Sequence, residues 1–171
     1  MIAQLCYTTL LEDGKTALND ARAGLLTPSF DRIVEANTLM SGLGFESGGL
    51  ALAHSLHNGL TAMKETHLFM HGEKVAFGAL VQLIVEARDK TILFEVLSFC
   101  LSVGLPITLA DIGLAKLTLE QAGAIAELTL APHESAHNEP IPLTPQLIID
   151  AIFAADAEGR AFKSNAALSE A

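Results

Sequence analysis

Apolar residues recur at three- and four-residue intervals along most of the chain, and no segment alternates with period two over a useful length. The pattern predicts one helix after another. Ile2 to about Asn19 carries helical spacing and begins without a visible cap. In "TPSFDRIVEANTLMSG", Thr27 can cap, Pro28 suits the first turn, Asp31 favours the positive end and Gly42 can stop the helix. Ser47 to about Leu60 follows, with Gly59 as the break, and then His71 to Ala87. Lys90 to Val103 is stopped by Gly104 and Pro106, and Thr118 to about Leu130 is a weaker helix. A second Thr-Pro start, at Thr144 and Pro145, opens a helix running to about Phe162. The expected fold class is all-α, one helical domain over residues 1–163 with a frayed tail at 164–171. No linker or repeat is visible.

The chain has 171 residues, enough for a domain with a real core, and half of them are hydrophobic. The net charge is −10, and the ten basic residues are scattered. That excludes a patch able to grip nucleic acid or an acidic membrane surface. A spanning helix is excluded too. The longest uncharged run near the middle, Val96 to Ala110, falls short of the roughly 20 residues needed and contains Pro106. No basic region followed by an apolar run opens the chain, so no secretory leader is expected. Cys6 and Cys100 sit in apolar helical contexts without paired spacing, which predicts free core thiols and a cytoplasmic location. The excess apolar surface points to a homo-oligomer, at least a dimer, or to a missing partner domain.

Two motifs invite over-reading. "GLGFESGG" places Gly42, Gly44 and Gly48 near the spacing of a dinucleotide fingerprint, but one residue out and behind a helix rather than a strand. A glycine-rich turn between close helices is the plainer account. Ser29, Ser41 and Ser47 have no base at motif spacing. The histidines are more informative. Four of the six, His54, His57, His67 and His71, fall within eighteen residues. His54 and His57 share a helix face, and His67 with His71 and His133 with His137 are each four apart. Such pairs can hold a transition metal or can be ordinary structural residues, and no HExxH pattern settles the matter.

Longer blocks carry a resemblance. "VEANTLMSGLGFESGGLALAHSLHNGLTAM", Val34 to Met63, closely resembles a signature of the glycerol dehydrogenases, metal-dependent group III alcohol dehydrogenases related to dehydroquinate synthase. "HGEKVAFGALVQL", "FCLSVGLPITLADIGL" and "HNEPIPLTPQLIIDAIFAAD" resemble the blocks that follow, and "AQLCYTTLLEDGKTAL" resembles the helix that begins the metal-binding half. The resemblance implies a fold like the C-terminal helical domain of the dehydroquinate synthase-like and iron-containing alcohol dehydrogenases. It implies a divalent ion, zinc foremost and manganese or iron as alternatives, held by His54 and His71. These lie seventeen residues apart, about 25 Å along one straight helix, so a chain reversal must separate them. Phe45 would sit in a loop bordering the substrate pocket, with His57 and His67 lining the pocket or backing the ligands. The implied reaction is oxidation of glycerol, or a similar small polyol, to dihydroxyacetone, with NAD taking the hydride.

The family's aspartate ligand and its N-terminal NAD-binding domain have no counterpart here, so no cofactor-binding residue is assigned. Three readings follow. The first is a truncated glycerol dehydrogenase that is impaired or partner-dependent. The second is a half-enzyme needing a separate nucleotide-binding chain. The third is a non-catalytic helical interaction module.

Overall fold

The computed structural model describes residues 1–169, and among them it contains helices and turns but no strand. The all-α class is therefore what folds. The chain divides into two compact units, Met1–Gly49 and Leu50–Ala171. The boundary falls inside the run that the apolar pattern joined into one helix from Ser47.

In the first unit, α1 spans Ile2–Arg22 and α2 spans Pro28–Glu35. The Thr27 hydroxyl accepts from the Phe30 amide at 3.3 Å, so the predicted cap forms, with Pro28 in the first turn. The predicted stop at Gly42 does not. A π-helical turn at Ala36–Met40 leads directly into α3, Ser41–Gly48. The chain leaves the helix only at Gly49, whose φ of 76° suits glycine. The glycine-rich stretch is thus helical, with Gly44 against Ala3 of α1. A bidentate ion pair ties α2 to α1, with Arg32 Nε and Nη2 donating to Asp13 at 2.6 and 2.7 Å.

The second unit holds α4 (Leu52–Thr61), α5 (His71–Val85), α6 (Lys90–Val103), α7 (Leu119–Thr129) and α8 (Pro145–Ser169). Leu52, Leu56 and Leu60 recur every fourth residue and bury one face of α4 completely. They join a core with Phe77, Leu80 and Val81 of α5, Ile125 of α7 and Ile148 and Ile152 of α8. Two glycines set the spacing. A Cβ on Gly59 would lie 2.6 Å from the Ile125 carbonyl of α7, and one on Gly78 would lie 2.5 Å from the Ala53 carbonyl of α4. Gly59 is therefore a buried crossing point and not a break. The chain reverses later, through a 3₁₀ turn at Lys64–Leu68. The buried Thr66 hydroxyl secures that turn by donating to the Leu60 carbonyl at 2.8 Å.

At the other end, α8 continues as helix through Ser169, past the point where the sequence suggested fraying; residues 170 and 171 lie outside the described ones. Among the described residues no helix is long and apolar enough to cross a membrane. Cys6 and Cys100 are free and buried, as expected.

Candidate metal centre

α4 and α5 place three of the four clustered histidines together. α4 opens two residues before His54, and its free amides are met by side chains from elsewhere in the unit. Leu52 N donates to Glu139 Oε1 and Ala53 N donates to Gln82 Oε1, each at 3.0 Å. His54 and His57 then project from adjacent turns of α4. His71 is the first residue of α5, where Met70 N donates to Glu73 Oε2 at 2.7 Å and fixes the helix start.

The ring centroids of His54 and His71 are 5.5 Å apart and tilted by 46°. Two imidazoles sharing one tetrahedral zinc put their centroids about 5 Å apart, so this pair fits a common ion. His57 stands differently. Its ring meets His71 edge-on at 4.2 Å, with His57 Nε2 and His71 Nδ1 3.2 Å apart. That nitrogen is occupied by a ring neighbour. Among the described residues, no set of three His, Cys, Asp or Glu side chains is arranged to hold a metal. The donor set present fits two ligands of such a site.

Burial favours the neutral ring at His54 and at His57. Burial pushes the His54 pKa below its ordinary value, and the neighbouring His71 and His57 add to the effect. Burial also lowers His57, against the hydrogen bond to Asn58, with His71 and Lys74 pressing the same way and Glu134 opposing. A neutral imidazole is the form that donates a lone pair to a metal. Lys74, one turn into α5, is buried, and its Nζ donates to the Thr61 hydroxyl at 3.2 Å.

Other candidates fall elsewhere. His67 Nε2 donates to the Thr61 carbonyl at 2.9 Å, and His137 Nε2 donates to the Ala131 carbonyl at 3.1 Å. Each pins a 3₁₀ turn to the preceding helix end. His133 is exposed beside Glu134. Phe45, expected in a loop, lies on α3 of the first unit and is half-exposed.

Two residues that the sequence did not single out belong to the centre. Asn58 bonds to His57, with Nδ1 and Oδ1 3.0 Å apart, and its Nδ2 donates to Glu134 at 3.0 and 3.2 Å. Asn58 could have been suspected from its place beside His57. Glu134 could not, because it is 76 residues away along the chain.

Glu134 is delivered by a strap, residues 134–139, that runs along α4. The Ser135 hydroxyl donates to the Ala51 carbonyl at 2.9 Å, and Ala136 N donates to the buried Ser55 hydroxyl at 2.7 Å. Asn138 Nδ2 donates to the Leu50 carbonyl at 2.8 Å.

No family model matches the chain. Over 161 residues it is 50% identical to a glycerol dehydrogenase of Pseudomonas putida, covering 94% of this chain and 44% of that enzyme. It is 49% identical over 163 residues to a glycerol dehydrogenase of Thermotoga maritima, covering 95% of this chain and 45% of that one. The crystal structure of glycerol dehydrogenase from Schizosaccharomyces pombe superposes with a TM-score of 0.94 at 42% identity, over 97% of this chain and 42% of that chain. The chain thus spans less than half the length of the relatives it matches.

Proposed function

We propose that this chain, a homologue of the glycerol dehydrogenases matched over nearly all of its own length, is the metal-holding helical half of such an enzyme, acting on a small polyol such as glycerol. The match to under half of each relative fits a C-terminal half. The observation that carries the reading is the meeting of His54 and His71. Seventeen residues separate them in sequence, yet their ring centroids lie 5.5 Å apart, close to the separation of about 5 Å that two imidazoles on one tetrahedral ion would have.

In this reading His54 and His71 hold a divalent cation, with zinc the first choice for two imidazoles. When bound, the ion supplies Lewis-acid chemistry, polarising a hydroxyl of the polyol while a nicotinamide nucleotide accepts the hydride. The chain's own residues do the rest. The α4 amides held by Glu139 and Gln82 fix the height of His54. The reversal at Lys64–Leu68 returns the chain so that His71 faces it. The neutral state of His54 leaves its lone pair for the ion. The third ligand and the nucleotide site are assigned to sequence corresponding to the rest of the relatives' length.

Calorimetric titration of zinc into the chelator-treated chain tests this. His54→Ala and His71→Ala should each abolish most of the binding, and His67→Ala and His133→Ala should leave it unchanged. Equal losses from all four, or no loss from the first two, would overturn the assignment.

A further inference from the structure

His71 can serve as a ligand through only one of its two ring nitrogens at a time. In the neutral ring, the other nitrogen carries the proton. Which tautomer exists is set by what that proton bonds to. Around His71 the answer follows from chemistry alone, link by link, starting from Glu134.

A carboxylate has no hydrogen to give. Both Glu134 oxygens lie within hydrogen-bond distance of one terminal atom of the Asn58 amide, at 3.0 and 3.2 Å. That atom must be the NH₂, since an amide oxygen there would face two acceptors with nothing between. The Asn58 carbonyl oxygen is therefore the atom turned toward His57 Nδ1, at 3.0 Å. A carbonyl only accepts, so His57 Nδ1 bears the proton. The neutral His57 ring then has a bare Nε2, which lies 3.2 Å from His71 Nδ1. Two bare nitrogens would repel, so His71 Nδ1 bears the proton and donates it. The lone pair of His71 is left on Nε2.

We propose that Glu134, Asn58 and His57 form a directional hydrogen-bond chain whose role is to lock His71 in the Nδ1–H tautomer, so that Nε2 is held ready as the ligating nitrogen. The inference rests on the metal-centre reading for its purpose, but not for its geometry. The three are positioning residues. Metal-bound histidines generally hand their second nitrogen to such a partner, and losing the partner lowers affinity by about 10–100-fold.

The chain is also built to keep its direction. Glu134 has a side chain only 10% exposed. It sits at the head of the strap that Ser135, Ala136, Asn138 and Glu139 bind to α4. Those bonds hold the backbone that carries Glu134 against α4. His133 Nε2 lies 3.6 Å from Glu134 Oε1, at the exposed surface.

Glu134→Gln is the discriminating change. It keeps shape and size, but its amide can donate as well as accept. Asn58 is then free to flip, which reverses every link and puts the His71 proton on Nε2. The direct readout is the tautomer, taken from long-range ¹H–¹⁵N correlation of the ring nitrogens in the metal-free chain at neutral pH. The wild type should show Nδ1–H for both His57 and His71. Glu134→Gln should show a mixture with Nε2–H, Asn58→Leu the same, and His133→Ala the wild-type pattern. Zinc affinity, measured in parallel, should fall about 10–100-fold in the first two variants and stay level in the third.

Finding wild-type His71 as Nε2–H, or finding Glu134→Gln without effect on either ring, would overturn the proposal. Tautomers that respond as expected in a chain that does not bind zinc would support the hydrogen-bond chain and overturn the metal reading. Thermal melts of each variant show whether a lost signal reflects the relay or the fold, and Glu134→Gln, being isosteric, should melt with the wild type.

Discussion

Replacing glycine with alanine inside a helix ordinarily stabilises it by about 1 kcal/mol, because alanine loses less conformational freedom and has the better helix propensity. Gly78 should show the opposite. Its new Cβ would lie 2.5 Å from the Ala53 carbonyl oxygen and 3.2 Å from the carbon and Cα of the same residue. Restoring ordinary contact at 3.4 Å requires a shift of about 0.9 Å between α4 and α5. The colliding atoms are main chain, so no rotamer change relieves them. Overpacking of this kind costs about 1–3 kcal/mol, and the rigid obstacle argues for the upper end. Subtracting the helix gain of about 1 kcal/mol leaves a net loss of about 2 kcal/mol. For a chain of this size that lowers the melting temperature by about 4–8 °C.

Gly123, inside α7, is the control, since a Cβ there meets nothing within 4 Å. Gly123→Ala should raise the melting temperature by about 2–4 °C. Far-UV circular dichroism on both variants in metal-free buffer measures the pair. Because Ala53 adjoins His54, Gly78→Ala should also weaken zinc binding while Gly123→Ala should not. A Gly78→Ala variant that melts at or above the wild-type temperature would refute the close crossing as the element that sets the α4–α5 distance.

Two further outcomes are expected. The hydrogen bonds from Arg32, against the cost of burial and with help from Ser29, hold the Asp13 carboxyl at about 2 rather than its ordinary 3.8. The unfolded chain therefore binds more protons between those values. The stabilisation is fully present above pH 3.8 and is lost as pH falls toward 2, so Asp13→Asn should flatten the acid limb of unfolding; an unchanged limb would exclude the pair as its source. Burial pushes the Cys100 thiol up to about 11 and raises Cys6 as well. Both should resist a thiol reagent at pH 8 in the native chain and react on unfolding. Rapid native labelling of Cys100→Ser, which isolates Cys6, or of Cys6→Ser, which isolates Cys100, would contradict that.

Local chemistry determined several helix boundaries by itself. Period-3.6 patterning, the Thr27–Pro28 and Thr144–Pro145 starts, and the Gly104 stop mark boundaries that depend only on nearby residues, and the structure keeps them. The blocks around His54 and His71 were likewise legible. What the sequence could not decide was any feature whose physics depends on a distant neighbour. Gly42 and Gly59 look like stops in one dimension, yet the first continues as helix and the second is the place where α7 comes close. Gly49, which does end a helix, has the same side chain, or lack of one, as both. By spacing alone His54, His57, His67 and His71 are equivalent, and before the fold only the resemblance told them apart. The fold adds the contacts: His54 and His71 near each other, His57 against His71, and His67 capping a turn. Glu134 reaches Asn58 because a strap 76 residues further on is bonded along α4, and a contact between residues so far apart leaves no periodic trace in the sequence. Periodicity encodes which face of a helix is buried; it does not encode what that face will meet.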